Sequence, residues 1–142
     1  MHHLVKSTLS VVFAAGLAFS AHASEAPTQI DGATTVDAEG VIALIETTPD
    51  LTILDNRSVA DYDAGHIEGA VRLIDTDITS EADIAAHVAA KDTPVLFYCN
   101  GLSCGRAAKA AEMAIDYGYS NVSYYALGMT EWRSLGLPLV TR

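Results

Sequence analysis

Cys99 and Cys104 are the residues of this chain best suited to covalent chemistry, and they are its only two cysteines. Cys99 directly follows Val95 to Tyr98, an apolar run with the length and composition of a buried strand. An alanine-rich segment from Ala107 to Tyr117 comes next and is predicted to be a helix. A cysteine between a strand and a helix lies near backbone N–H groups and the positive end of the helix dipole, which favour a thiolate and can bind an anion. The pattern therefore predicts sulfur chemistry at Cys99.

Other interpretations of the two cysteines remain open at the level of sequence. Free cysteine is among the most buried residue types, so Cys99 could be structural. In an oxidising compartment, a disulfide between Cys99 and Cys104 is a strong alternative. A zinc site that also uses His66 and His87 is disfavoured, because the spacing of these residues is not that of zinc ligands. We therefore expect no metal.

The first 23 residues have the pattern of a secretory signal peptide. Lys6 precedes an apolar run from Leu9 to Phe19, and Ala21-His22-Ala23 forms a suitable cleavage site. An uncleaved membrane anchor is the alternative, but the apolar run is short for a spanning helix. We expect a signal peptide over residues 1–23, a flexible leader over residues 24–33 and a folded domain over residues 34–142. The mature protein would be secreted without stable membrane insertion, into the periplasm if the source is a Gram-negative bacterium.

The composition predicts one domain with an acidic surface. The chain has 142 residues, half of them apolar, and a formal net charge of −10. Such a surface repels nucleic acid and anionic lipid, so we expect binding to neither. It also gives no long-range attraction for small anions, so any anion site must be local.

Predicted strands and helices alternate along the chain, which is typical of an α/β domain with a parallel sheet. Strands are predicted over residues 34–36, 51–55, 71–74, 95–98 and 122–125. Helical segments are predicted over residues 38–47, 56–62, 80–90, 107–117 and 130–135. In open parallel sheets, the ligand crevice lies at the carboxyl ends of the strands. Cys99 stands at one such end, so the predicted fold and the predicted chemistry agree on a site there.

Several short motifs, taken in order, resemble the rhodanese-like domain family over about residues 36–139. They are Leu54-Asp55-Asn56-Arg57, Gly65-His66-Ile67-Glu68-Gly69-Ala70, Phe97-Tyr98-Cys99, Gly118-Tyr119-Ser120-Asn121-Val122, Gly128-Met129-Thr130-Glu131-Trp132 and Gly136-Leu137-Pro138. The resemblance implies an open parallel sheet with helices on both faces. It also implies a single-domain sulfurtransferase, of a subgroup with a second cysteine in the active-site loop. Such an enzyme moves a sulfane sulfur from a small-molecule donor such as thiosulfate to a thiol or cyanide acceptor.

The resemblance also implies roles for individual residues. Cys99 would be the nucleophile that carries the persulfide, and Arg106 would assist it. The loop would bind the substrate and stabilise its anion through residues Asn100, Gly101, Leu102, Ser103, Cys104 and Gly105. Asp55 and Arg57 are interpreted as a structural pair near the end of the sheet, with Arg57 kept as a further candidate for the crevice. No cofactor is implied, and a redox protein is a candidate partner beside the small-molecule donor and the thiol acceptor.

This chain departs from the family pattern in its loop and before its last helix. Six residues separate Cys99 from Arg106, so either the loop is longer than is usual in the family or the helix begins earlier, with Cys104 in its first turn. The usual Gly-Gly before the closing helix is Leu127-Gly128 here, which would narrow the mouth of the site. Three alternatives therefore stay open: a thiol-disulfide or redox-sensing protein that uses both cysteines, a non-catalytic binding module, and, least favoured, a phosphatase, because rhodanese-like phosphatases have Cys-x5-Arg.

Overall fold

The strand Val95–Tyr98 lies at the centre of a sheet whose strands are all parallel. The computed structural model describes residues 25–142, so the predicted signal peptide lies outside the described residues. The sheet has five strands, in the spatial order Ala33–Thr35, Val122–Tyr125, Val95–Tyr98, Thr52–Asp55 and Val71–Arg72. In chain order the elements are β1 (Ala33–Thr35), α1 (Ala38–Thr47), β2 (Thr52–Asp55), α2 (Val59–Ala64), β3 (Val71–Arg72), a 3-10 turn (Asp75–Asp77), α3 (Glu81–Ala85), β4 (Val95–Tyr98), α4 (Arg106–Asp116), β5 (Val122–Tyr125) and α5 (Gly128–Ser134). The predicted α/β fold with a parallel sheet is confirmed.

The two faces of β4 pack into two separate hydrophobic cores. Successive side chains of a strand point to opposite faces, so Val95 and Phe97 join one core and Leu96 and Tyr98 join the other. Alanines at helical spacing on α4 complete the first core: Ala107, Ala110, Ala111 and Ala114. Buried residues of α1 and α5 complete the second: Ala38, Val41, Met129 and Trp132. Helices therefore cover both faces of the sheet, which explains why β4 is apolar at every position.

Two predicted elements are shorter than expected, for local reasons. The helix predicted over 80–90 begins with the expected capping box of Ser80 and Asp83 but ends at Ala85. The chain then turns toward β4, with the Ala90 N–H donating to the Thr93 hydroxyl over 3.0 Å. Strand β3 ends at Arg72, because the side-chain amide of Asn56 donates to the next carbonyl, that of Leu73, over 2.5 Å.

Residues 25–32, predicted as part of a flexible leader, instead pack against the domain. The Ala26 N–H donates to the carbonyl of Leu102 over 2.7 Å, and the Tyr124 hydroxyl donates to the carbonyl of Pro27 over 2.8 Å. Ala26 and Ile30 are each only 8% exposed, and Ile30 belongs to the first core. We call residues 25–32 the N-terminal strap, because they cross from the loop after β4 to the edge strand β1. No local pattern predicts this packing, since the segment is mostly polar and has no periodicity.

The packing of the strap can be tested through the hydrogen bond between Tyr124 and the Pro27 carbonyl. Changing Tyr124 to phenylalanine removes one hydrogen bond, which contributes about 0.5–1.5 kcal/mol. We expect the Ala26 amide to exchange with solvent about 2- to 10-fold faster in this variant, as measured by hydrogen exchange with NMR detection. Tyr125→Phe is the matched control, because its hydroxyl donates to Glu131 over 2.9 Å and does not touch the strap. Equal exchange rates of the Ala26 amide in both variants would contradict the contact between Tyr124 and the strap.

No helix within residues 25–142 is long and apolar enough to cross a membrane.

Candidate active site

The candidate site lies where β2 and β4 end side by side. These strands pair in parallel with Asp55 opposite Tyr98, and the Asn56 N–H continues the pairing by donating to the Tyr98 carbonyl over 2.9 Å. Cys99 follows immediately and is only 2% exposed. Its sulfur lies 3.7 Å from the carbonyl oxygen of Asn56. The central strand therefore delivers Cys99 to the carboxyl edge of the sheet, as predicted.

The loop after β4 returns on itself and brings the second cysteine to the first. The Cys104 N–H donates to the carbonyl of Gly101 over 3.0 Å, which closes a turn. The Cα atoms of Cys99 and Cys104 are 6.1 Å apart, and the two sulfurs form a disulfide. The disulfide that the sequence left as an alternative is thus present.

Both sulfurs lie at the N-terminal end of α4. Cys104 stands two residues before Arg106, the first residue of this helix, and Cys99 is bonded to it. The unpaired N–H groups and the dipole at a helix N-terminus favour negative charge. When the disulfide is reduced, a thiolate at either cysteine is therefore favoured by this position.

Helix α5 holds the first two loop carbonyls in place. The Met129 N–H donates to the Cys99 carbonyl over 3.0 Å, and the Thr130 N–H and hydroxyl both donate to the Asn100 carbonyl over 2.8 Å. Gly128 allows this approach, because its φ is +52° and a Cβ there would lie 2.2 Å from the Cys99 carbonyl oxygen. The backbone of Cys99 is therefore fixed by its strand on one side and by α5 on the other.

An open pocket lies beside the loop on its α5 side. It has a volume of about 400 Å³, and its lining includes Leu102, Ser103, Leu127 and Thr130. Leu127 is 40% exposed. Leu127, which was predicted to narrow the mouth of the site, therefore forms part of the wall of this pocket.

An acidic residue that the sequence interpretation missed stands next to the loop. The side-chain amide of Asn100 donates to the carboxylate of Asp61, on α2, over 3.2 Å. This bond, together with one from Ser58 and the charges of Arg57 and Arg106, lowers the pKa of Asp61 below its usual range against the opposing effect of burial. Asp61 therefore carries a negative charge beside the site. No local motif marks it, since its position depends on how α2 packs against the loop.

The two predicted site arginines occupy different environments. Arg106 is exposed at the start of α4, and its charge acts on Asp61. Arg57 is 1% exposed, and its Nε and Nη2 groups donate to the carboxylate of Asp55 over distances of 2.7–3.2 Å. Its Nη2 also donates to the carbonyl of Gly65 over 2.8 Å. Arg57 thus forms the structural pair with Asp55 that the sequence predicted, and it does not face the crevice, for which it was also a candidate.

Tyr98 completes the buried polar cluster beneath the site. Its hydroxyl donates to Asp55 over 2.5 Å and accepts the N–H of Ile67 over 3.2 Å. Burial, together with the charge of Asp55, raises the pKa of Tyr98, so the hydroxyl stays a neutral donor. Burial alone would lower the pKa of Arg57, but its hydrogen bond and ion pair with Asp55 raise it. Asp55, Arg57 and Tyr98 therefore form a charged, hydrogen-bonded support below the loop.

His66 is held by the backbone of its own turn. Its Nδ1 forms a hydrogen bond of 2.8 Å with the carbonyl of Tyr62, and its ring stacks on that of Tyr62.

Within residues 25–142, no three His, Cys, Asp or Glu side chains are grouped so that they could hold a metal ion.

Comparison with known proteins places this geometry in one family. The sequence pattern of the Rhodanese-like domain family matches residues 37–135. An HTH-type transcriptional regulator of Mycobacterium tuberculosis is 37% identical over 90 residues, which are 63% of this chain and 38% of that protein. This chain therefore spans well under half the length of that curated relative.

Solved structures show the same fold. The rhodanese-like domain of the Alr3790 protein from Anabaena sp. is 27% identical, with a TM-score of 0.61 over 76% of this chain and 79% of that chain. The polysulfide-sulfur transferase homodimer of Wolinella succinogenes is 22% identical, with a TM-score of 0.61 over 78% of this chain and 80% of that chain. The family match covers more than half of the sequence, with Cys99 and its loop inside it, and the chain belongs to the rhodanese-like domain family.

Proposed function

We propose that this protein is a sulfurtransferase that carries sulfur as a persulfide on Cys99. The observation that carries the proposal is the position of Cys99: it directly follows the central strand of a rhodanese-like domain, and its sulfur is bonded to that of Cys104, two residues before α4. A nucleophilic thiolate needs nearby positive charge or dipoles, and this position supplies the dipole. The known proteins of this fold include one named as a polysulfide-sulfur transferase, which agrees with the proposal.

The reaction begins once the disulfide is reduced. The Cys99 thiolate attacks the outer sulfur of a sulfane donor, and the bond between that sulfur and the rest of the donor breaks. With thiosulfate, the products are the Cys99 persulfide anion and sulfite. Backbone N–H groups of the loop Asn100–Arg106, apart from that of Cys104, which donates to Gly101, would stabilise the persulfide anion, and a thiol acceptor would then take the outer sulfur. No cofactor takes part in these steps.

The charges around the loop bear on the choice of donor. Arg106 supplies one positive charge at the start of α4, and Asp61 supplies a negative charge through its contact with Asn100. The two charges partly cancel, so a dianion such as thiosulfate gains little from local electrostatics. We therefore include organic persulfides, such as glutathione persulfide, among the donors.

The proposed location follows from the predicted signal peptide. Export would place the protein in an oxidising compartment such as the periplasm, where a disulfide between Cys99 and Cys104 forms and persists. A redox protein that reduces this disulfide would then be needed before the first turnover.

Intact-mass measurement of the reduced, desalted protein tests the proposal. After incubation with thiosulfate, and in a parallel arm with glutathione persulfide, we expect Cys104→Ser to gain one sulfur atom, about 32 Da. Cys99→Ser should gain none. A gain in neither arm, or an equal gain in the variant without Cys99, would overturn the proposal.

A thiol-disulfide exchange protein is a second candidate function, and the disulfide is the observation that favours it. Such a protein would cycle between dithiol and disulfide with a protein reductant or substrate and would not take up sulfur. The mass experiment separates the two functions, because exchange alone changes the mass of the wild type by about 2 Da and leaves Cys104→Ser unchanged.

A further inference from the structure

We propose that Cys104 removes the sulfur from Cys99, so that the enzyme reduces sulfane sulfur to free sulfide and is itself left as the observed disulfide. This inference rests on the proposed persulfide of Cys99 and deepens it by naming the acceptor. The acceptor is then part of the chain, and the external partner is a dithiol reductant rather than a sulfur acceptor.

The first observation behind the proposal is the fixed approach of the two sulfurs. The turn from Gly101 to Cys104 is closed by a backbone hydrogen bond of 3.0 Å, and the disulfide spans Cα atoms 6.1 Å apart. Gly101 has a φ of +154°, and a Cβ there would lie 2.8 Å from the Thr130 hydroxyl. The loop can therefore take this tight path beside α5 only because position 101 is glycine.

The second observation is that the loop is held from both sides. Helix α5 binds the carbonyls of Cys99 and Asn100, and the N-terminal strap binds the carbonyl of Leu102 through Ala26. Cys104 is itself partly buried against the first core. A nucleophile held in this way reacts at an effective concentration far above that of a dissolved thiol.

The third observation is the difference in exposure between the two cysteines. Cys99 is 2% exposed, whereas Cys104 is partly exposed. An external thiol would have to reach the outer sulfur of a persulfide on a buried residue. The Cys104 sulfur is bonded in the disulfide to Sγ of Cys99, which is the inner sulfur of the persulfide. Internal attack is therefore favoured over transfer to an external acceptor.

The chemical step balances without another reactant. The Cys104 thiol gives up its proton, which ends on the departing outer sulfur, and the Cys104 sulfur attacks the Sγ atom of the Cys99 persulfide anion. The bond between Sγ and the outer sulfur breaks, and the outer sulfur leaves as hydrosulfide, HS⁻. The sulfane sulfur gains two electrons, and the two cysteine sulfurs lose two electrons as they form the disulfide.

A dithiol reductant, small or protein-borne, completes the cycle. Its thiolate attacks the more exposed sulfur, that of Cys104, and forms a mixed disulfide there. Cys99 then leaves as a thiolate at the N-terminus of α4, where the helix dipole favours it. The second thiol of the reductant resolves the mixed disulfide, releases Cys104 and leaves the reductant as a disulfide.

The test is a single turnover in the absence of oxygen and of any added thiol. Reduced, desalted wild type is loaded with thiosulfate or with glutathione persulfide, released sulfide is trapped with a bimane reagent, and the intact mass is measured. We expect about one sulfide per chain and a product about 2 Da lighter than the reduced protein. Cys104→Ser and Cys104→Ala should instead keep the added mass of about 32 Da and release no sulfide. Two substitutions are used so that a folding defect in one of them does not decide the result.

The possible results separate this inference from the proposed function. If wild type and both Cys104 variants all retain the added sulfur and release no sulfide, Cys99 transfers sulfur but Cys104 is not the acceptor, and the inference is wrong. If no variant that retains Cys99 gains sulfur from either donor, the proposed function fails and the inference fails with it. A wild-type sample without donor controls for oxidation, since it must keep its reduced mass throughout.

Discussion

Replacing Arg57 with methionine is expected to lower the free energy of unfolding by about 3–5 kcal/mol. The guanidinium is buried and forms an ion pair with Asp55, which is 0% exposed. Methionine fills a similar volume but leaves the Asp55 carboxylate buried without its countercharge. The remaining hydrogen bonds, from the Tyr98 hydroxyl and from the backbone N–H of residue 57, do not replace that charge. Urea unfolding of the reduced protein, with linear extrapolation, measures the loss.

Matched variants separate the lost ion pair from the lost side chain. Asp55→Asn combined with Arg57→Met removes both charges, and we expect it to recover about 0.5–3 kcal/mol relative to the sum of the single variants. Arg133→Met, at an exposed position on α5, should change stability by no more than about 0.5 kcal/mol. If Arg57→Met kept its stability and lost sulfur loading instead, Arg57 would be a substrate contact, as the sequence first suggested.

The two arginines show what sequence could and could not predict about the site. Both follow a short strand or loop at the carboxyl edge of the sheet, and both were reasonable candidates for an anion site. Arg57 is buried because Asp55 and the Gly65 carbonyl accept its hydrogen bonds, whereas Arg106 begins a helix and faces solvent. Asp55 is only two residues from Arg57, so their pairing could be predicted locally, but the contact with Gly65 and the burial of Arg57 depend on tertiary packing.

Elements with a strong local signal were predicted well. Strand β4 is apolar because both of its faces are buried, and strand β5 has the bounds that its sequence indicated. The cap of α1 at Asp37 is also local, since its carboxylate accepts the N–H of Gly40 over 2.9 Å. The N-terminal strap and Asp61 were missed because their roles depend on tertiary contacts with the loop, at Leu102 and Asn100.

The same contacts explain how the fold could control the chemistry at Cys99. Strand β4 sets the position of the cysteine, α5 fixes its carbonyl, and the strap and α2 contact the loop that carries Cys104. Ordering a loop longer than is usual in the family costs more conformational entropy, and these contacts offset that cost. These contacts hold the loop in the one path that brings the two sulfurs together.

Replacing Gly128 with alanine is expected to destabilise the protein by about 2–5 kcal/mol, the sum of a left-handed backbone and a steric clash. The new Cβ would lie 2.2 Å from the Cys99 carbonyl oxygen and 3.1 Å from the Gly101 nitrogen. Both are backbone atoms, so no side chain can rotate away, and the loop or α5 must move. Urea unfolding measures the loss, and mass gain from a sulfane donor in a Cys104→Ser background, where the sulfur stays on Cys99, measures the effect on Cys99.

Gly136→Ala is the matched control for this prediction. Gly136 has a similar φ, +65°, but no atom lies within 4 Å of the position its Cβ would take. This variant should therefore lose only the stability that a left-handed backbone costs an alanine, about 1–2 kcal/mol, and should load sulfur normally. The difference between the two variants measures the contact between α5 and the Cys99 carbonyl. Equal losses, with equal sulfur loading, would mean that this contact does not position the nucleophile.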